Sequence, residues 1–209
     1  MKDFWEARYA NAEFAYGTSP NRFFSDAILR IPPGRMLLPG EGEGRNAVYA
    51  ALKGWEVDAY DQSHNGAGKA IKLAGKQGVS INYTVGPLEM QSFRPRYYDA
   101  AALIFLHLSP SIRSEVHMRI AKALRPGGWL ILEAFHTSQL DYNTGGPRSI
   151  EMLYDRELLI RDFPGLSLLE LEEREVELDE GVYHLGKAKV IRLMGRKPKN
   201  EFDGTRTEE

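Results

Sequence analysis

Short apolar runs alternate with segments of helical period along most of the chain. The run at 98–107 is almost continuously apolar, as expected of a central parallel strand that is covered on both faces. Strands are predicted at about 36–38, 55–61, 79–85, 98–107, 129–135, 167–178 and 187–196. Helical spacing predicts helices between them, at about 45–53, 63–76, 111–124 and 154–163. This repetition predicts an α/β, doubly wound, Rossmann-like domain.

The composition of the chain changes at its two ends. Residues 1–30 are rich in aromatic side chains and are predicted to form an N-terminal helical lid, with Tyr16 as a contact to a ligand. The alternative is that these aromatics only pack two short helices onto the body. Residues 31–197 are predicted to form the main domain. The polar, charged tail at 198–209 is predicted to be disordered.

A glycine-rich turn follows the first predicted strand. Gly40, Gly42 and Gly44 stand at every second position before an Ala-rich segment. Glycine serves where the backbone takes positive φ or touches a ligand, and the N–H groups of the following helix then face that ligand. Arg45 stands where the dinucleotide fingerprint has its third glycine, and no Walker A ending is present. The turn therefore predicts a ligand site that fits neither of these two patterns.

Asp61 is predicted at the carboxyl end of the second strand, where doubly wound sheets bind their ligands. A carboxylate there can accept both hydroxyls of a ribose. The alternative is that Asp61 only forms a turn or caps a helix. Gly86, Pro87, Leu88 and Glu89 make a turn at the same rim, and its backbone N–H groups could read an adenine edge.

Composition narrows the classes of function. The net charge is −2 and no basic block is present, which argues against extended nucleic-acid binding. The chain has no cysteine, which excludes thiolate catalysis and fits a reducing, cytoplasmic compartment. No apolar run approaches the roughly 20 residues of a membrane span. We therefore expect a small-molecule substrate, with no nucleic acid, membrane or metal, while the oligomeric state stays open.

The separate motifs, taken in order, resemble the class I S-adenosylmethionine (SAM) methyltransferases over roughly residues 4–197. The resemblance is carried by 40–46, 61–63, 98–99, 105–107, 124–128 and the closing hairpin. Within that class the chain is similar to the tellurite-resistance group and its small-molecule relatives, through 4–9, 16–21, 44–47 and 142–147. The resemblance implies a seven-stranded sheet of order 3-2-1-4-5-7-6 with strand seven antiparallel. It also implies SAM as cofactor and methyl transfer to a small acceptor.

The resemblance implies a role for each motif residue. Gly40, Glu41 and Gly42 would approach the methionine end and the ribose of SAM, and Gly44 belongs to the same turn. Asp61 would hold the ribose hydroxyls with Gln62 beside it, and residues 86–89 would frame the adenine. The floor under the sulfonium would be formed by Phe105 and Leu106.

One position departs from the family pattern. The acidic residue that usually stands two positions before the first glycine, and helps to hold the methionine amino group, is Leu38 here. Glu41 could substitute for it from within the turn, or water could mediate the contact. The alternative function is therefore a SAM-binding module without catalysis, either regulatory or a partner subunit. A dinucleotide-linked oxidoreductase is disfavoured by Arg45.

The acceptor is expected beside His107, at the carboxyl end of the fourth strand. His107 is the candidate general base, and the alternative is that it hydrogen-bonds the backbone and closes the pocket. Arg148, Tyr142 and His184 are predicted on loops at the substrate rim, where Arg148 could pair with an anionic acceptor. The candidate acceptors are a chalcogen oxyanion, a thiol, or a small hydroxyl or amine, and nothing in the sequence separates them.

Overall fold

The computed structural model describes residues 2–199. The strands are β1 (Arg35–Pro39), β2 (Glu56–Asp61), β3 (Asn82–Val85), β4 (Tyr98–Ile104), β5 (Leu124–Phe135), β6 (Ser167–Asp179) and β7 (Leu185–Arg196). The helices are α1 (Lys2–Arg8), α2 (Arg22–Ile28), α3 (Arg45–Leu52), α4 (His64–Lys76), α5 (Pro110–Ala123) and α6 (Arg156–Asp162). Short 3-10 turns lie at Leu88–Met90, Thr137–Asp141 and Ile150–Met152.

All seven strands join one sheet, in the order β3-β2-β1-β4-β5-β7-β6. The first five strands in this order run parallel to one another, whereas β7 is antiparallel to both β5 and β6. The predicted fold class, strand order and antiparallel last strand are therefore confirmed. The strand order reverses between β1 and β4, which are neighbours in the sheet. Doubly wound sheets bind ligands in the crevice at the carboxyl ends of such a pair of strands.

Apolar layers cover both faces of the sheet. Successive side chains of a strand point to opposite faces, so Leu37 packs with the layer of α5 and α6 while Leu38 packs with the layer of α2 and α3. Leu38 is only 1% exposed. The two central strands are thus held from both sides, and their carboxyl ends are fixed in position.

Of the element boundaries that differ from the sequence prediction, two have a direct structural cause. β5 begins at Leu124 rather than at 129, because Leu124 already pairs with Tyr98 and a register shift follows before the next pair. The last helix begins at Arg156 rather than at 154, because the Asp155 side chain accepts the N–H of Leu158 and caps the helix there. The residue before this cap, Tyr154, is fully buried in the core.

Only the first part of the predicted 1–30 lid covers the rim of the sheet. α2 instead packs Phe24, Ala27 and Ile28 into the core and belongs structurally to the main domain. Met1 and most of the predicted disordered tail, residues 200–209, lie outside the described residues. Among the described helices, none is long and apolar enough to cross a membrane.

Gly44 is required by packing at the start of α3, so we expect Gly44→Ala to destabilise the protein. Its φ is +89°, and a Cβ there would lie 2.4 Å from the Cβ of Ala70 in α4. Left-handed backbone strain and overpacking together predict a loss of roughly 2–4 kcal/mol in the free energy of unfolding. Urea unfolding measures this change.

Gly75→Ala is the matched control. Gly75 lies inside α4, and a Cβ there would meet no atom within 4 Å. We expect this variant to gain about 0.4–1 kcal/mol, since alanine loses less backbone entropy on folding. Equal unfolding midpoints for the two variants would contradict the packing explanation.

Candidate functional site

A cavity of about 800 Å³ lies at the carboxyl ends of β1, β2 and β4. Side chains from α1, from Tyr16 and from the β6–β7 hairpin also contribute to its wall. The predicted site residues that line it are Tyr16, Gly40, Glu41, Asp61, Gln62, Pro87, Leu88, Glu89, Phe105, Leu106, His107 and His184. The predicted site residues outside this lining are Gly42, Gly44, Gly86, Tyr142 and Arg148.

The glycine turn places its backbone against β2. The N–H groups of Gly40 and Glu41 both donate to the carbonyl of Tyr60, at 2.7 and 3.1 Å. Gly42 lies behind the cavity wall, where a Cβ would stand 2.6 Å from the hydroxyl oxygen of Tyr9. Gly42 therefore shapes the turn, as Gly44 does through its packing on α4, while Gly40 and Glu41 line the cavity.

Asp61 ends β2 with its carboxylate at the cavity wall. Oδ2 accepts the N–H of Gly42 at 3.0 Å, and Oδ1 accepts the N–H of Ser63 at 2.9 Å. Burial raises the pKa of Asp61, and these hydrogen bonds oppose the rise. The two backbone donors orient the carboxylate without neutralising its charge. The turn after β3 is attached to the same residue, since the N–H of Gly86 donates to the carbonyl of Asp61 at 2.8 Å.

Glu41 supplies a second carboxylate to the cavity. Its Oε1 accepts the N–H groups of Asn46 and Ala47, at 2.8 and 2.7 Å, in the first turn of α3. Burial raises the pKa of Glu41 to about 7. Within residues 2–199 no lysine, arginine or histidine forms an ion pair with it. Leu38, at the position where the family carries its acidic residue, is in the core instead, so Glu41 is the carboxylate that this end of the cavity offers.

The floor of the cavity is formed where β4 ends. Phe105 has a φ of +52°, a region that non-glycine residues rarely adopt at a cost of order 1–3 kcal/mol. Its N–H donates to the carbonyl of Glu133 at 2.7 Å, and its ring packs on Phe135 and His184 with centroids at 4.7 and 4.5 Å. These contacts hold the strained residue and give the cavity an aromatic floor.

His107 lines the cavity, but both of its ring nitrogens are engaged by the backbone. Nδ1 lies 2.7 Å from the carbonyl oxygen of Met152, and Nε2 accepts the N–H of Phe135 at 3.2 Å. Burial lowers the pKa of His107 to about 4. In this geometry both nitrogens of the neutral ring are hydrogen-bonded to the backbone, so a role of His107 as general base, which stays a prediction, would require one of these bonds to break. The geometry matches the alternative of a backbone-bonded side chain that closes the pocket.

His184 stands in the same aromatic cluster with a different set of partners. Its ring lies 4.5 Å from that of Tyr16, and its Nδ1 lies 3.5 Å from Oε2 of Glu180, at the outer limit of a hydrogen bond. Burial lowers the pKa of His184 and so favours the neutral ring. Among the described residues no group hydrogen-bonds its Nε2. With Nδ1–H directed at Glu180, Nε2 carries the lone pair.

Glu180 lies in the closing β6–β7 hairpin, but the sequence does not predict it as a residue of the site. Its Oε2 accepts Nη2 of Arg45 at 2.7 Å, and its Oε1 accepts Nδ2 of Asn21 at 2.9 Å. Burial alone would raise the pKa of Glu180, but the bonds from His184 and Arg45 lower it to about 2. The residue is therefore an anion that fixes the hairpin over the cavity. The sequence signal that could have found it is a lone Glu four residues before His184.

The long loop after β5 meets the cavity through residues other than those predicted. The Tyr142 hydroxyl donates to Glu175 at 2.7 Å, and Arg148 donates to the Tyr142 carbonyl and to Asn143 at 3.2 Å. Both side chains thus bond within the exposed loop and lie outside the cavity lining, and their assignment to the substrate stays a prediction. Gly145, Gly146 and Pro147 of the same loop do line the cavity.

The lid helix α1 was predicted only in outline. Trp5 stacks on Tyr9 with ring centroids 5.5 Å apart, and both line the cavity. The Glu6 carboxylate accepts the hydroxyl of Ser63 and the N–H of Asn65 at the start of α4. α1 is therefore fastened beside the carboxylate of Asp61.

The residues present fit the cofactor that the resemblance implies. The volume lies in the roughly 300–1,000 Å³ range of small-molecule and cofactor sites. Asp61 offers a carboxylate to a diol, Glu41 offers an unpaired carboxylate to an ammonium group, and Leu88 and Phe105 offer apolar surface. No side chain of this lining conflicts with that assignment.

Comparison with known proteins agrees with the fold and the motifs. The family described as "Tellurite resistance protein TehB" matches residues 2–178. The chain is 25% identical over 158 residues to hemagglutinin 1 of Eikenella corrodens, covering 75% of this chain and 51% of the relative. It is 23% identical over 117 residues to a probable SAM-dependent methyltransferase TehB of Haemophilus influenzae, covering 55% of this chain and 41% of the relative. The chain thus spans about half the length of these relatives.

Two solved structures superpose over nearly the whole chain. TehB from Haemophilus influenzae has a TM-score of 0.72 at 20% identity, covering 94% of this chain and 66% of that one. A protein from work on the conversion of a disulfide bond into a thioacetal group during echinomycin biosynthesis has a TM-score of 0.76 at 16% identity, covering 97% and 94%. The family match, taken with the sheet order and the glycine turn, shows that this chain belongs to the TehB family of class I SAM-dependent methyltransferases.

Proposed function

We propose that this protein is a SAM-dependent methyltransferase whose acceptor is a small nucleophile with a sulfur, selenium or tellurium centre. The observation that carries the proposal is that Asp61 and Glu41, at the carboxyl ends of β2 and β1 in a TehB-family chain, line the cavity with carboxylates that form no ion pair among the described residues. The chalcogen acceptor is supported by two similar proteins, one named for tellurite resistance and one from work on a disulfide.

Each polar residue of the cavity would bind a different part of the cofactor. Asp61 would hold the ribose hydroxyls, and Glu41 would hold the methionine ammonium group that Leu38 cannot reach from the core. Pro87, Leu88 and Glu89 would frame the adenine. When bound, SAM supplies a methyl group on a sulfonium, an already activated donor, so the protein has mainly to align the acceptor and exclude water.

The acceptor end is aromatic and contains one suitably oriented histidine. Phe105 and Phe135 offer ring surface, with which sulfur makes favourable contacts. His184 would take the proton of a thiol acceptor at Nε2 while the sulfur lone pair forms the new bond to carbon. Glu180 faces the other nitrogen, which is the arrangement of a base held in one tautomer.

The alternative of a SAM-binding module without catalysis rested on Leu38. Because Glu41 offers a carboxylate to the same end of the cavity, no feature of the described residues favours that alternative over catalysis.

The cofactor assignment predicts how two variants bind S-adenosylhomocysteine and 5′-methylthioadenosine, which has the same nucleoside but no amino-acid part. Asp61→Ala should weaken both ligands by roughly 10- to 100-fold, since a hydrogen bond to a charged group is worth about 1.5–3 kcal/mol. Glu41→Gln should weaken only S-adenosylhomocysteine. Isothermal calorimetry measures these affinities, with NAD expected not to bind.

Glu177→Gln is the control, since Glu177 is an exposed β6 residue outside the cavity. Equal losses of both ligands in Glu41→Gln would contradict the ammonium assignment. Absence of S-adenosylhomocysteine binding to the unaltered protein would contradict the cofactor site itself.

The raised pKa of Glu41 predicts a proton release on binding. In the free protein the pKa is about 7, so part of the population is protonated below that pH. A bound ammonium group favours the ionised carboxylate and lowers its pKa. Binding of S-adenosylhomocysteine at about pH 6.5 should therefore release protons, and its affinity should fall as the pH falls through that range.

Calorimetry in two buffers of different ionisation enthalpy measures the number of protons released. Glu41→Gln should remove the release. Proton uptake, or an unchanged release in that variant, would contradict the assignment of the titrating group.

The acceptor assignment predicts that His184→Asn lowers turnover with a thiol by roughly 10²- to 10⁴-fold, the usual contribution of a positioned base. The affinity for S-adenosylhomocysteine should be nearly unchanged. Steady-state rates and calorimetry measure the two quantities, with the exposed His64→Asn as control. A loss of affinity as large as the loss of turnover would assign His184 to cofactor binding instead.

A further inference from the structure

Arg8, the last residue of α1, stands where two cavities meet. It lines the main cavity and also a smaller one of about 320 Å³ between residues 11–15 and the β6–β7 hairpin. Tyr183 of the hairpin is the other residue that both cavities share. The guanidinium group lies 3.6 Å from the centroid of the Tyr183 ring. The stacked pair therefore forms a wall that can be reached from both sides.

No ion pair neutralises the charge of Arg8 in the described part of the chain. Nη1 donates to the Tyr16 hydroxyl at 3.2 Å, and the group also faces the ring of Phe4 at 4.7 Å. Throughout residues 2–199 no carboxylate lies within ion-pair distance of it. An arginine stacked on an aromatic face keeps the N–H donors of its edge for a planar anion.

Two nearby cations differ from Arg8 in this respect, whereas Lys2, which also lines the main cavity, lies exposed at the start of α1. Arg45 pairs with Glu180 at 2.7 Å, and Lys69 pairs with Glu43 at 2.6 Å. These two therefore serve to hold structure. Arg8 adds a positive charge to a wall whose neighbouring groups are phenols and rings, so this end of the cavity attracts an anion.

Arg8 also lies at the acceptor end rather than the cofactor end. The Tyr16 hydroxyl, which accepts from Arg8, belongs to the ring that packs 4.5 Å from His184. The carboxylates assigned to the cofactor lie elsewhere in the cavity, Glu41 in the glycine turn and Asp61 at the end of β2. Opposite charges are thus separated along the cavity, with these two carboxylates at the cofactor end and the Arg8 guanidinium group beside Tyr16 and His184.

We propose that Arg8 binds a negatively charged group of the methyl acceptor, so that the site selects small anionic chalcogen nucleophiles over neutral ones. This inference rests on the proposed function. The anion is either the oxyanion that bears the chalcogen or a carboxylate on a thiol. In both cases the acceptor's chalcogen lone pair forms the bond to the methyl carbon, the bond from that carbon to the sulfonium breaks, and S-adenosylhomocysteine leaves.

The test uses two thiols of nearly the same size, 3-mercaptopropionate and 3-mercaptopropionamide, with selenite as the oxyanion. For the unaltered protein kcat/KM should be at least about tenfold higher with the carboxylate than with the amide. Arg8→Gln should lower kcat/KM for the carboxylate by roughly 10- to 100-fold, mostly through KM, and leave the amide nearly unchanged. Arg8→Lys should keep part of the preference. A parallel loss with selenite identifies the oxyanion as a second acceptor of this type.

Arg174→Gln, on the exposed face of β6, is the matched control for charge. Affinity for S-adenosylhomocysteine in Arg8→Gln tests whether α1 still closes the cavity. An equal loss with both thiols, or no preference in the unaltered protein, would overturn the inference.

Direct calorimetry of 3-mercaptopropionate and selenite, each with and without S-adenosylhomocysteine, separates this inference from the proposed function. If neither thiol nor selenite is methylated, the proposed function fails. Anion binding that is lost in Arg8→Gln would still support the Arg8 site, and anion binding that is equal in both proteins, or absent from the unaltered protein, would refute it.

Discussion

A carboxylate that leaves water must be given donors or a cation, because a bare buried charge costs several kcal/mol. This requirement fixes the carboxyl rim of the sheet, where loops from distant parts of the sequence meet. Each of three acidic side chains there takes donors from segments that are distant in the sequence. The sets are Glu43 with Lys69 and the N–H of Ala15, Glu133 with Asn21 and Arg192, and Glu180 with Asn21, Arg45 and His184.

Three charges that face the cavity stand outside these sets. Within residues 2–199, Asp61 and Glu41 have backbone donors but no ion-pair partner, and Arg8 has aromatic rings but no carboxylate within ion-pair distance. A ligand that carries an ammonium group at one end and meets an anion at the other complements this distribution. The fold pairs some of the charges at the rim, and the charges that stay unpaired determine which ligand complements the site.

Local patterns predicted the fold, and they placed most residues assigned to the cofactor in the lining of one cavity. The strand runs, the glycine turn and Asp61 are each readable within a few residues, and a parallel sheet brings their ends to one edge. The contacts of the residues assigned to the acceptor could not be predicted in this way, because they depend on loop conformation. The carbonyl that occupies Nδ1 of His107 belongs to Met152, 45 residues away. Nothing local shows that a loop will present Gly145 to the cavity while holding Tyr142 outside it.

The lid and the cofactor end of the site share one loop. Ser63 donates its N–H to Asp61 and its hydroxyl to Glu6 of α1, so the carboxylate and the lid are held by the same residue. Arg8 lies half a turn further along the same helix and reaches the acceptor end. A shift of the Asp61 loop would therefore displace the attachment of α1, and with it the guanidinium group at the other end of the cavity. One short helix thus makes contacts at both ends of the site.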